Sequence, residues 1–409
     1  MNGQAALEQD LAADARRLGG AFGGFLREVA ATARQRRVTA VHFLSSEGRW
    51  FAAAYERLRA TSPDGARVPP ARHLPISRQA SFLASLDTCD AASLAPLLAQ
   101  YNAASLGAVL ASLGIDCATA ELAQLGLDVA APWKDQGRRA LACPSLMRRV
   151  DERRRQQRDL LRRYLAQQGF PNGAEALVAD IGWRGSIQDN LVRLLPGTRL
   201  HGCYFVLLAP FVAPDPRCTR QSFLQPDAAT ARRLRFGAPL ELAVGSPQGS
   251  VIGYGTSAGV VHPVEGPPPG SAATMAARLA GFRAAMAEAA AGQPVLREAA
   301  LREVLRVLER PSPAFAALYL DCERDERFGT GRMVACPQPL RLGSLLGGLT
   351  DRAARHRLGL VLADSGWPWA LLRRDLPWLL PLLRPVLLRL DPRLPGAPRS
   401  VAVGPRPST

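Results

Sequence analysis

Strand-like runs that alternate with helices most constrain the fold of this chain. Short apolar or β-branched runs occur at 38–44 (VTAVHFL), 72–77 (RHLPIS), 175–181 (EALVADI) and 199–208 (RLHGCYFVLL). A polar loop and a helical pattern follow each of the first three runs. Strands that alternate with helices form a parallel sheet, and ligands gather at the carboxyl ends of its strands. The sequence therefore predicts an α/β protein with a Rossmann-like parallel sheet.

The rest of the chain is mostly helical in pattern. The N-terminal segment has helical spacing with a glycine break at 18–25 (LGGAFGGF), and 211–220 (FVAPDPRCTR) is typical of a loop. The stretch 240–265 predicts a hairpin with glycine-rich turns. We expect four parts: N-terminal helices at 1–37, an α/β core at 38–208 with a helical insertion at 88–170, a hairpin extension at 209–265 and a helical C-terminal region at 266–409.

Composition limits the classes of protein that this chain can belong to. Its 409 residues are 47% hydrophobic and 21% charged, a balance typical of a globular protein. The N-terminus carries acids where a secretion signal needs a basic start and an apolar run. The most apolar segment, 376–388, contains Arg384 and three prolines, and it falls short of the roughly 20 residues of a membrane-spanning helix. We therefore expect a cytoplasmic protein, soluble or peripheral to the inner membrane.

The net charge of +16 comes almost entirely from dispersed arginines, since Lys134 is the one lysine in the sequence. Such a charge suits a phosphorylated ligand or an anionic membrane face as well as nucleic acid, and no nucleic-acid-binding motif is present. The seven cysteines form no CxxC pair, and the five histidines lack metal-ligand spacing. The sequence predicts no disulfide framework, no protein-built metal site and no nucleic-acid partner.

The loop after the 175–181 run carries more polar groups than a turn needs. Asp180 lies at the end of the run, Gly182 and Gly185 supply the turn, and Arg184 and Ser186 lie before the next helix. Backbone N–H groups at the helix N-terminus, with the Ser186 hydroxyl, would bind a phosphate. Asp180 would accept hydrogen bonds from sugar hydroxyls, and Arg184 would add positive charge. The alternative is an ordinary turn in which Ser186 caps the helix.

The loop after the first run, SSEG, offers a second anion site. Backbone N–H groups of Ser46, Glu47 and Gly48 would bind a phosphate, and the Glu47 carboxylate would bind a metal ion or a substrate hydroxyl. The alternative is a helix cap formed by Ser45 or Ser46.

The second run ends at Ser77 and Arg78, where the arginine would pair with an anion through two hydrogen bonds. The alternative is a surface arginine without a ligand. Three polar loops at one edge of one sheet nevertheless favour a phosphosugar-binding site in the 38–208 core.

The C-terminal region combines tryptophans with leucines and arginines. The residues concerned are Trp367, Trp369, Trp378, Arg373, Arg374, Arg384 and Arg389. This composition predicts an interfacial membrane patch. The alternative is a pair of packed helices.

The chain resembles a bacterial polysaccharide-biosynthesis family. Its stretches FLSSEGRWFAAAYERL, HLPISRQASFLASL, LVADIGWRGSIQDNLVRLL, GCYFVLL and LELAVGSPQGSVIGY with GVVHPVE occur in the same order as in that family. Family members are often labelled haloacid-dehalogenase-like hydrolases because a phosphatase domain is commonly fused to them. The part resembled is the companion domain, which is similar to phosphoribosyltransferase-type glycosyltransferases that add ribofuranose to glycans. The resemblance covers about residues 18–290, and DIGWRGSIQ is its most specific part.

The resemblance implies a phosphoribosyltransferase-like fold and a donor of the phosphoribosyl pyrophosphate kind, usually with Mg²⁺. A 5-phosphoribosyl group would be transferred to a hydroxyl of a glycan or lipid-linked glycan acceptor, and a separate phosphatase would be a partner. By the same resemblance the 45–48 loop binds the pyrophosphate, Asp180 the ribose hydroxyls, and Gly185 with Ser186 the 5-phosphate. Asp180 and Glu47 would be the catalytic residues.

The chain departs from the family pattern in its first loop. The family has Arg, then Asp or Glu, then Gly, whereas Ser46 replaces the arginine here. One alternative is a sugar phosphatase of the haloacid-dehalogenase type, which needs a nucleophilic Asp and a second acid two residues later. Neither FLSSEG nor VADIGW contains that pair. The other alternative, which Ser46 favours, is a non-catalytic partner of a polysaccharide-assembly complex.

Overall fold

The computed structural model describes most of the chain. The described residues are 2–98, 104–116, 119–210, 213–234, 236–246, 249–268, 272–326, 332–334 and 339–383. Arg384 and Arg389, which belong to the predicted C-terminal patch, lie outside the described residues.

The secondary structure has the following bounds. The strands are β1 Val41–Leu44, β2 Ala71–Leu74, β3 Glu175–Asp180, β4 Arg199–Val206, β5 Cys218–Leu224, β6 Val251–Ser257, β7 Val260–Glu265, β8 Arg324–Glu326 and β9 Arg332–Val334. The helices are α1 Asn2–Arg36, α2 Gly48–Thr61, α3 Arg78–Ser85, α4 Ala91–Leu98, α5 Leu106–Ser112, α6 Thr119–Gln124, α7 Trp133–Leu141, α8 Pro144–Gln167, α9 Ser186–Leu194, α10 Ala228–Leu234, α11 Ala238–Val244, α12 Ala272–Ala291, α13 Arg297–Glu309, α14 Pro313–Leu320, α15 Leu342–Thr350, α16 Arg352–Asp364 and α17 Pro368–Asp375.

Five parallel strands form the central sheet in the order β2-β1-β3-β4-β5. In the register of the sheet, Phe43 of β1 lies opposite His73 of β2 and Ala179 of β3. All of β1, and all of β3 except its first residue, is buried. Strands buried on both faces have continuous apolar sequences, which is why these two strands were recognisable. The predicted α/β class with a parallel sheet is confirmed.

Helices cover both faces of this sheet. On one face Phe22 and Phe25 of α1 pack against Phe205 of β4, with ring centroids 4.7 and 5.8 Å apart. On the other face Leu161 of α8 lies in the same buried cluster as Val178 of β3. The described residues between β2 and β3 form helices α3 to α8. The sheet is therefore the middle layer, and the loops meet at the amino and carboxyl ends of its strands.

Strand β5 was missed by the sequence prediction, which took 211–220 as a loop. Residues 218–220 in fact belong to β5, which pairs with β4 in parallel from Leu200 to Val206. Most of β5 is only partly buried, and of its residues only Phe223 and Leu224 are fully inside. An edge strand of this kind lacks a continuous apolar run, so its sequence resembles a loop. The predicted hairpin is confirmed for β6 and β7, whereas residues 240–244, which the prediction included in it, belong to helix α11.

The glycine break predicted in the N-terminal helix is wrong, because α1 continues from Asn2 to Arg36. Its glycines serve a close helix crossing instead. A Cβ on Gly19 would lie 2.8 Å from the Cα of Met286, and a Cβ on Gly23 would lie 2.8 Å from the Cα of Ala290. Both partners belong to the backbone of α12, which cannot move aside as a flexible side chain can. The glycines therefore allow two helices to pack backbone against backbone.

We expect Gly23→Ala to lower the free energy of unfolding by about 2 kcal/mol, the usual cost of overpacking a rigid contact. The control is Gly281→Ala on α12, where an added Cβ would meet nothing within 4 Å. That change should raise stability by about 1 kcal/mol, because alanine favours helix more than glycine does. Urea denaturation of both variants measures the difference. Equal stabilities of the two variants would contradict the close crossing.

The C-terminal region is mostly helical, as predicted, and its tryptophans divide into two kinds. Trp367 is fully buried, donates its indole N–H to the carbonyl of Leu308 at 2.7 Å and packs against Phe315 and Tyr319. Trp369 is buried as well. The predicted membrane role is therefore wrong for these two residues, which are core. Within the described part of the chain, none of the helices has the length and apolar character needed to cross a membrane.

Candidate functional site

The strand order predicts a crevice between the loops that follow β1 and β3. From β1 the chain continues to β2 on one side, and from β3 it continues to β4 and β5 on the other side. Ligands of parallel sheets bind at such a reversal point, outside the carboxyl ends of the strands. The two loops here are 45–47 and 181–185. These are the loops in which the sequence predicted Glu47 and Asp180.

The loop after β1 turns tightly into α2. Ser45 has a positive φ of 65°, and its carbonyl lies 2.8 Å from His73 Nε2. Gly48 begins α2, and a Cβ there would lie 2.6 Å from the carbonyl oxygen of Phe43. Glycine is therefore required at this position, and the helix starts directly behind the end of the strand. Glu47 is the N-cap residue, so its carboxyl group lies at the carboxyl edge of the sheet.

The loop after β3 is fixed by backbone contacts with the end of β4. Val206 N–H donates to the Ile181 carbonyl at 3.0 Å, and Leu208 N–H donates to the Trp183 carbonyl at 2.6 Å. Gly182 has φ of 150°, and a Cβ there would collide with the Val206 carbonyl. Asp180, which is 5% exposed, accepts a hydrogen bond from Ile181 N–H at 2.9 Å. The carboxyl group is thus held in a rigid turn.

Ser186 does not cap the helix that it begins. The N-cap of α9 is Gly185, in the left-handed region with φ of 73°, and no side chain provides a cap hydrogen bond. The alternative interpretation of this loop as a Ser186-capped turn is therefore wrong. Ser186 is instead the first residue of α9, at a helix N-terminus, where backbone N–H groups favour an anion.

Two carboxyl groups, one from each loop, lie close enough for the charge of one to affect the pKa of the other. Burial raises the pKa of Asp180 well above its usual value, and the charge of Glu47 raises it further. Burial also raises the pKa of Glu47, although hydrogen bonds from its own N–H and from Ser46, and the charge of Arg78, act in the opposite direction. Like charges in a buried site oppose each other's ionisation. The pair therefore holds a proton to a higher pH than isolated carboxyl groups would.

The charge of Arg78 acts on both carboxyl groups of this pair. Arg78 is exposed at the first position of α3, and its charge lowers the pKa of both Asp180 and Glu47. Within the described part of the chain its guanidinium makes no ion pair with a carboxylate within 4.0 Å. A guanidinium in this position is available to bind a phosphate bidentately.

Ser77 has a structural role in the present geometry. Its hydroxyl oxygen caps α3 by accepting from Ala80 N–H at 3.0 Å and donates to the Val251 carbonyl at 2.5 Å. The loop is thereby tied to the β6–β7 hairpin. This hydroxyl is already engaged by the protein, so the phosphate contact expected of this loop falls to Arg78.

Arg184 is bonded to the segment that follows β4. Its guanidinium donates to the Ala209 carbonyl, and burial, together with the charge of Arg78, lowers its pKa. The two arginines are thus close enough to repel each other. This repulsion would be relieved by an anion between them.

Arg220 supports the loop after β3 and was not predicted. The side chain of this arginine from β5 is 6% exposed. It donates to the carbonyls of Arg184 at 3.2 Å and Gly185 at 3.3 Å, and it forms an ion pair with Asp189 of α9. No sequence pattern indicated this role, because the strand that carries Arg220 was taken as a loop.

Glu241 is a third acidic residue whose charge acts on Asp180, and it is hydrogen-bonded to Trp183. Neither residue was predicted. The Trp183 indole N–H donates to the Glu241 carboxylate, and the charge of Glu241 contributes to the raised pKa of Asp180. Trp183 lies over Gly237, where a Cβ would be 1.7 Å from the nearest atom of the indole ring. The short helix α11 is therefore held against the loop after β3. Glu241 lies in the LELAVGSPQGS stretch, which carries part of the family resemblance but had no assigned role.

A separate cavity of about 110 Å³ lies beside the amino-terminal halves of β4 and β5. Its lining includes Arg36, His201 and Thr219. His201 Nε2 is 3.3 Å from Arg36 Nη1, and burial lowers the pKa of this histidine. None of the three polar loops contributes to the lining. This cavity is therefore distinct from the crevice at the carboxyl edge.

Comparison with known proteins gives no match to this chain, either among protein-family models or among curated proteins. The functional assignment therefore depends on the residues of the crevice. Of the predicted site residues, the structure brings Glu47, Asp180 and Arg78 into electrostatic contact. The remaining predicted residues lie in these two loops or at the N-terminal ends of helices α2, α3 and α9: Ser45, Ser46, Gly48, Ser77, Gly182, Arg184, Gly185 and Ser186.

Proposed function

We propose that this chain is a glycosyltransferase of the phosphoribosyltransferase type. It would transfer a (5-phospho)ribofuranosyl group from a phosphoribosyl pyrophosphate-like donor to a glycan acceptor in surface polysaccharide biosynthesis. The observation that carries the proposal is that Arg78, Glu47 and Asp180 follow the three neighbouring strands β2, β1 and β3 at the reversal point of a parallel sheet, where their charges influence one another. Polar loops after three strands there suit a ligand that has hydroxyl groups and more than one phosphate.

The crevice offers a partner for each part of such a donor. The N-terminus of α9 at Ser186 suits the 5-phosphate, and the carboxyl pair suits the ribose hydroxyls. Backbone N–H groups of the 45–48 loop suit the pyrophosphate. Ser46 carries no positive charge, and Arg184 is bonded to the Ala209 carbonyl. Arg78 therefore supplies the cation for the pyrophosphate. Arg78 therefore takes the role that an arginine at position 46 has in the resembled family.

The chemistry of ribosyl transfer suits this arrangement. Its transition state has a positively charged sugar ring and a departing pyrophosphate, so catalysis consists mainly of positioning and electrostatic stabilisation. Carboxylates near the ring stabilise its positive charge, and Arg78 stabilises the leaving group. A carboxyl group that keeps its proton can donate a hydrogen bond, whereas an ionised one only accepts, so the raised pKa values of Asp180 and Glu47 suit a ribose that offers hydroxyl groups.

The residues present are compatible with Mg²⁺ carried by the donor. Mg²⁺ is usually held by one or two carboxylates together with substrate phosphates and water. Glu47 and Asp180 are oxygen ligands of that kind. Among the described residues, no group of three or more His, Cys, Asp or Glu side chains is arranged to hold a metal ion by itself. The chain would therefore take up Mg²⁺ with the pyrophosphate, where the ion would neutralise the leaving group.

The test is binding of phosphoribosyl pyrophosphate with Mg²⁺ by calorimetry, followed by pyrophosphate release with candidate glycan acceptors. Arg78→Ala should weaken donor binding about tenfold or more, as expected for loss of a charge-assisted phosphate contact. The control is Arg67→Ala, which removes an arginine whose side chain is 83% exposed and lies far from the crevice. This variant should bind the donor like the wild type.

Three other outcomes would each overturn the proposal. A folded wild-type protein that binds no donor would exclude it. Phosphate release from sugar phosphates, lost in Asp180→Ala, would identify a phosphatase, although Gly182 stands where that chemistry needs its second acid. If Arg78→Ala and Arg67→Ala weakened donor binding equally, the crevice would not be the donor-binding site.

A further inference from the structure

Two pairs of exposed apolar side chains lie in the C-terminal region. Leu342 and Leu346 are 41% and 55% exposed and lie one turn apart on α15. Trp378 and Leu382 are 61% and 69% exposed and follow α17 four residues apart. Single exposed leucines are common on protein surfaces, but clustered ones, with an exposed tryptophan among them, indicate a binding surface.

A hydrogen bond holds the two pairs in the same part of the molecule. Leu340 N–H donates to Asp375 Oδ2 at 2.7 Å. Leu342 follows Leu340 by two residues and Trp378 follows Asp375 by three, so each lies within roughly 10 Å of this bond along its own segment. We call this surface the C-terminal apolar face and define it by Leu342, Leu346, Trp378 and Leu382.

The sequence around this face is basic. Arg341 is exposed directly before Leu342, and Arg373 and Arg374 lie in the last turn of α17, where Arg374 pairs with Asp375. After residue 383 the sequence has five arginines and a single acid, Asp391. A surface that combines leucine, tryptophan and arginine is complementary to phospholipid, since tryptophan favours the boundary between headgroups and acyl chains and arginine binds phosphate.

We propose that the C-terminal apolar face docks this chain on an anionic phospholipid membrane. Trp378 and the three leucines enter the headgroup region, and the exposed Arg341 beside Leu342 pairs with lipid phosphate. This mode of binding needs no membrane-spanning helix, and the described part of the chain has none. The proposal concerns a surface outside the crevice and does not depend on the reaction at Asp180.

The test is co-sedimentation of the full chain with phosphatidylcholine vesicles that contain or lack about 30% phosphatidylglycerol. Partitioning should be about tenfold or more stronger with the anionic vesicles and should weaken as salt is raised, because the arginine contacts are screened. The double variant Trp378→Ser/Leu382→Ser should reduce partitioning about tenfold or more. The control Val260→Ser/Leu296→Ser removes two comparably exposed apolar side chains elsewhere and should bind vesicles like the wild type.

Three results would overturn the proposal. The first is equal partitioning of both double variants, and the second is no preference for anionic vesicles. The third is a concentration-dependent dimer of the wild type that the Trp378→Ser/Leu382→Ser variant abolishes while vesicle binding is absent, since the occupant would then be a second copy of this chain. Binding of phosphoribosyl pyrophosphate by the same variants should be unchanged, so failure here is distinguishable from failure of the proposed function.

Discussion

The Asp180→Asn protein is expected to unfold at a higher temperature than the wild type while losing the proposed transferase activity about a hundredfold or more. The two effects have one cause. Asp180 is buried in a rigid turn close to Glu47, and both burial and that second charge disfavour its ionised form. Asparagine has nearly the same shape and can still accept the hydrogen bond from Ile181 N–H. It carries no charge, so it neither opposes Glu47 nor stabilises a positively charged ribose.

The stability gain should depend on pH in a defined direction. Because the pKa of Asp180 is raised in the folded protein, the folded protein retains a proton that the unfolded chain has already released. The stability of the wild type therefore falls as pH rises from about 4 towards the folded pKa. The amide of the substituted asparagine does not titrate, so the advantage of the variant should be about 1 kcal/mol at neutral pH, typical of relieving a strained functional site. It should vanish below about pH 4.

Denaturation at about pH 4 and pH 7, together with donor turnover at about pH 7, measures both effects. The control is Asp351→Asn, because the exposed Asp351 caps α16 by accepting from Ala354 N–H at 2.7 Å, which lowers its pKa. That variant should show neither a gain in stability at neutral pH nor a loss of activity. An Asp180→Asn protein that stays fully active, or is no more stable than the wild type at neutral pH, would contradict the assigned role of this carboxyl group.

The sequence was sufficient to predict the part of the site that depends on local structure. Glu47 and Asp180 each follow a strand whose apolar run is easy to recognise, and a parallel sheet brings the carboxyl ends of its strands to one edge. Their meeting follows from those two facts. The same reasoning placed Arg78 after the second strand, although that strand is short and only partly buried.

The parts of the site that depend on long-range contacts could not be predicted. Glu241 reaches Asp180 only because α11 packs against Trp183, a contact between residues 58 positions apart in sequence. Arg220 reaches the loop after β3 from an edge strand whose partly exposed side chains lack an apolar run. Local patterns carry no information about such contacts, because the same residues would satisfy a loop or a surface helix equally well.

Glycine and tryptophan were ambiguous for a related reason. Gly19 and Gly23 have the same sequence signature whether a helix breaks or crosses another helix closely, and only the position of α12 decides between them. Trp367 and Trp378 both lie among leucines and arginines, yet one is fully buried and the other is 61% exposed. The difference arises from packing against α14, where Phe315 covers the first tryptophan.

His42 is expected to make the folded protein sensitive to acid between about pH 6.5 and pH 4. It lies in the centre of the sheet on β1, 1% exposed, with its ring 4.7 Å from that of Phe170. Burial, with a smaller contribution from the charge of Arg72, lowers the pKa of His42 from 6.5 to about 4. The unfolded chain therefore binds a proton at a pH where the folded protein does not, and stability is lost as the pH falls through this range. A shift of this size corresponds to about 3 kcal/mol.

The His42→Leu variant isolates this contribution from that of the carboxyl groups. Leucine fills a similar volume, cannot be protonated, and removes the His42 Nδ1 atom, which is buried without a hydrogen-bond partner. The variant should therefore be at least as stable as the wild type at about pH 7.5 and should lose about 3 kcal/mol less stability on acidification to about pH 4. His262→Leu in β7 is the control, because that histidine is exposed. Urea denaturation over this pH range compares them, and a parallel loss of stability in His42→Leu and the wild type would show that His42 is protonated without cost inside the sheet.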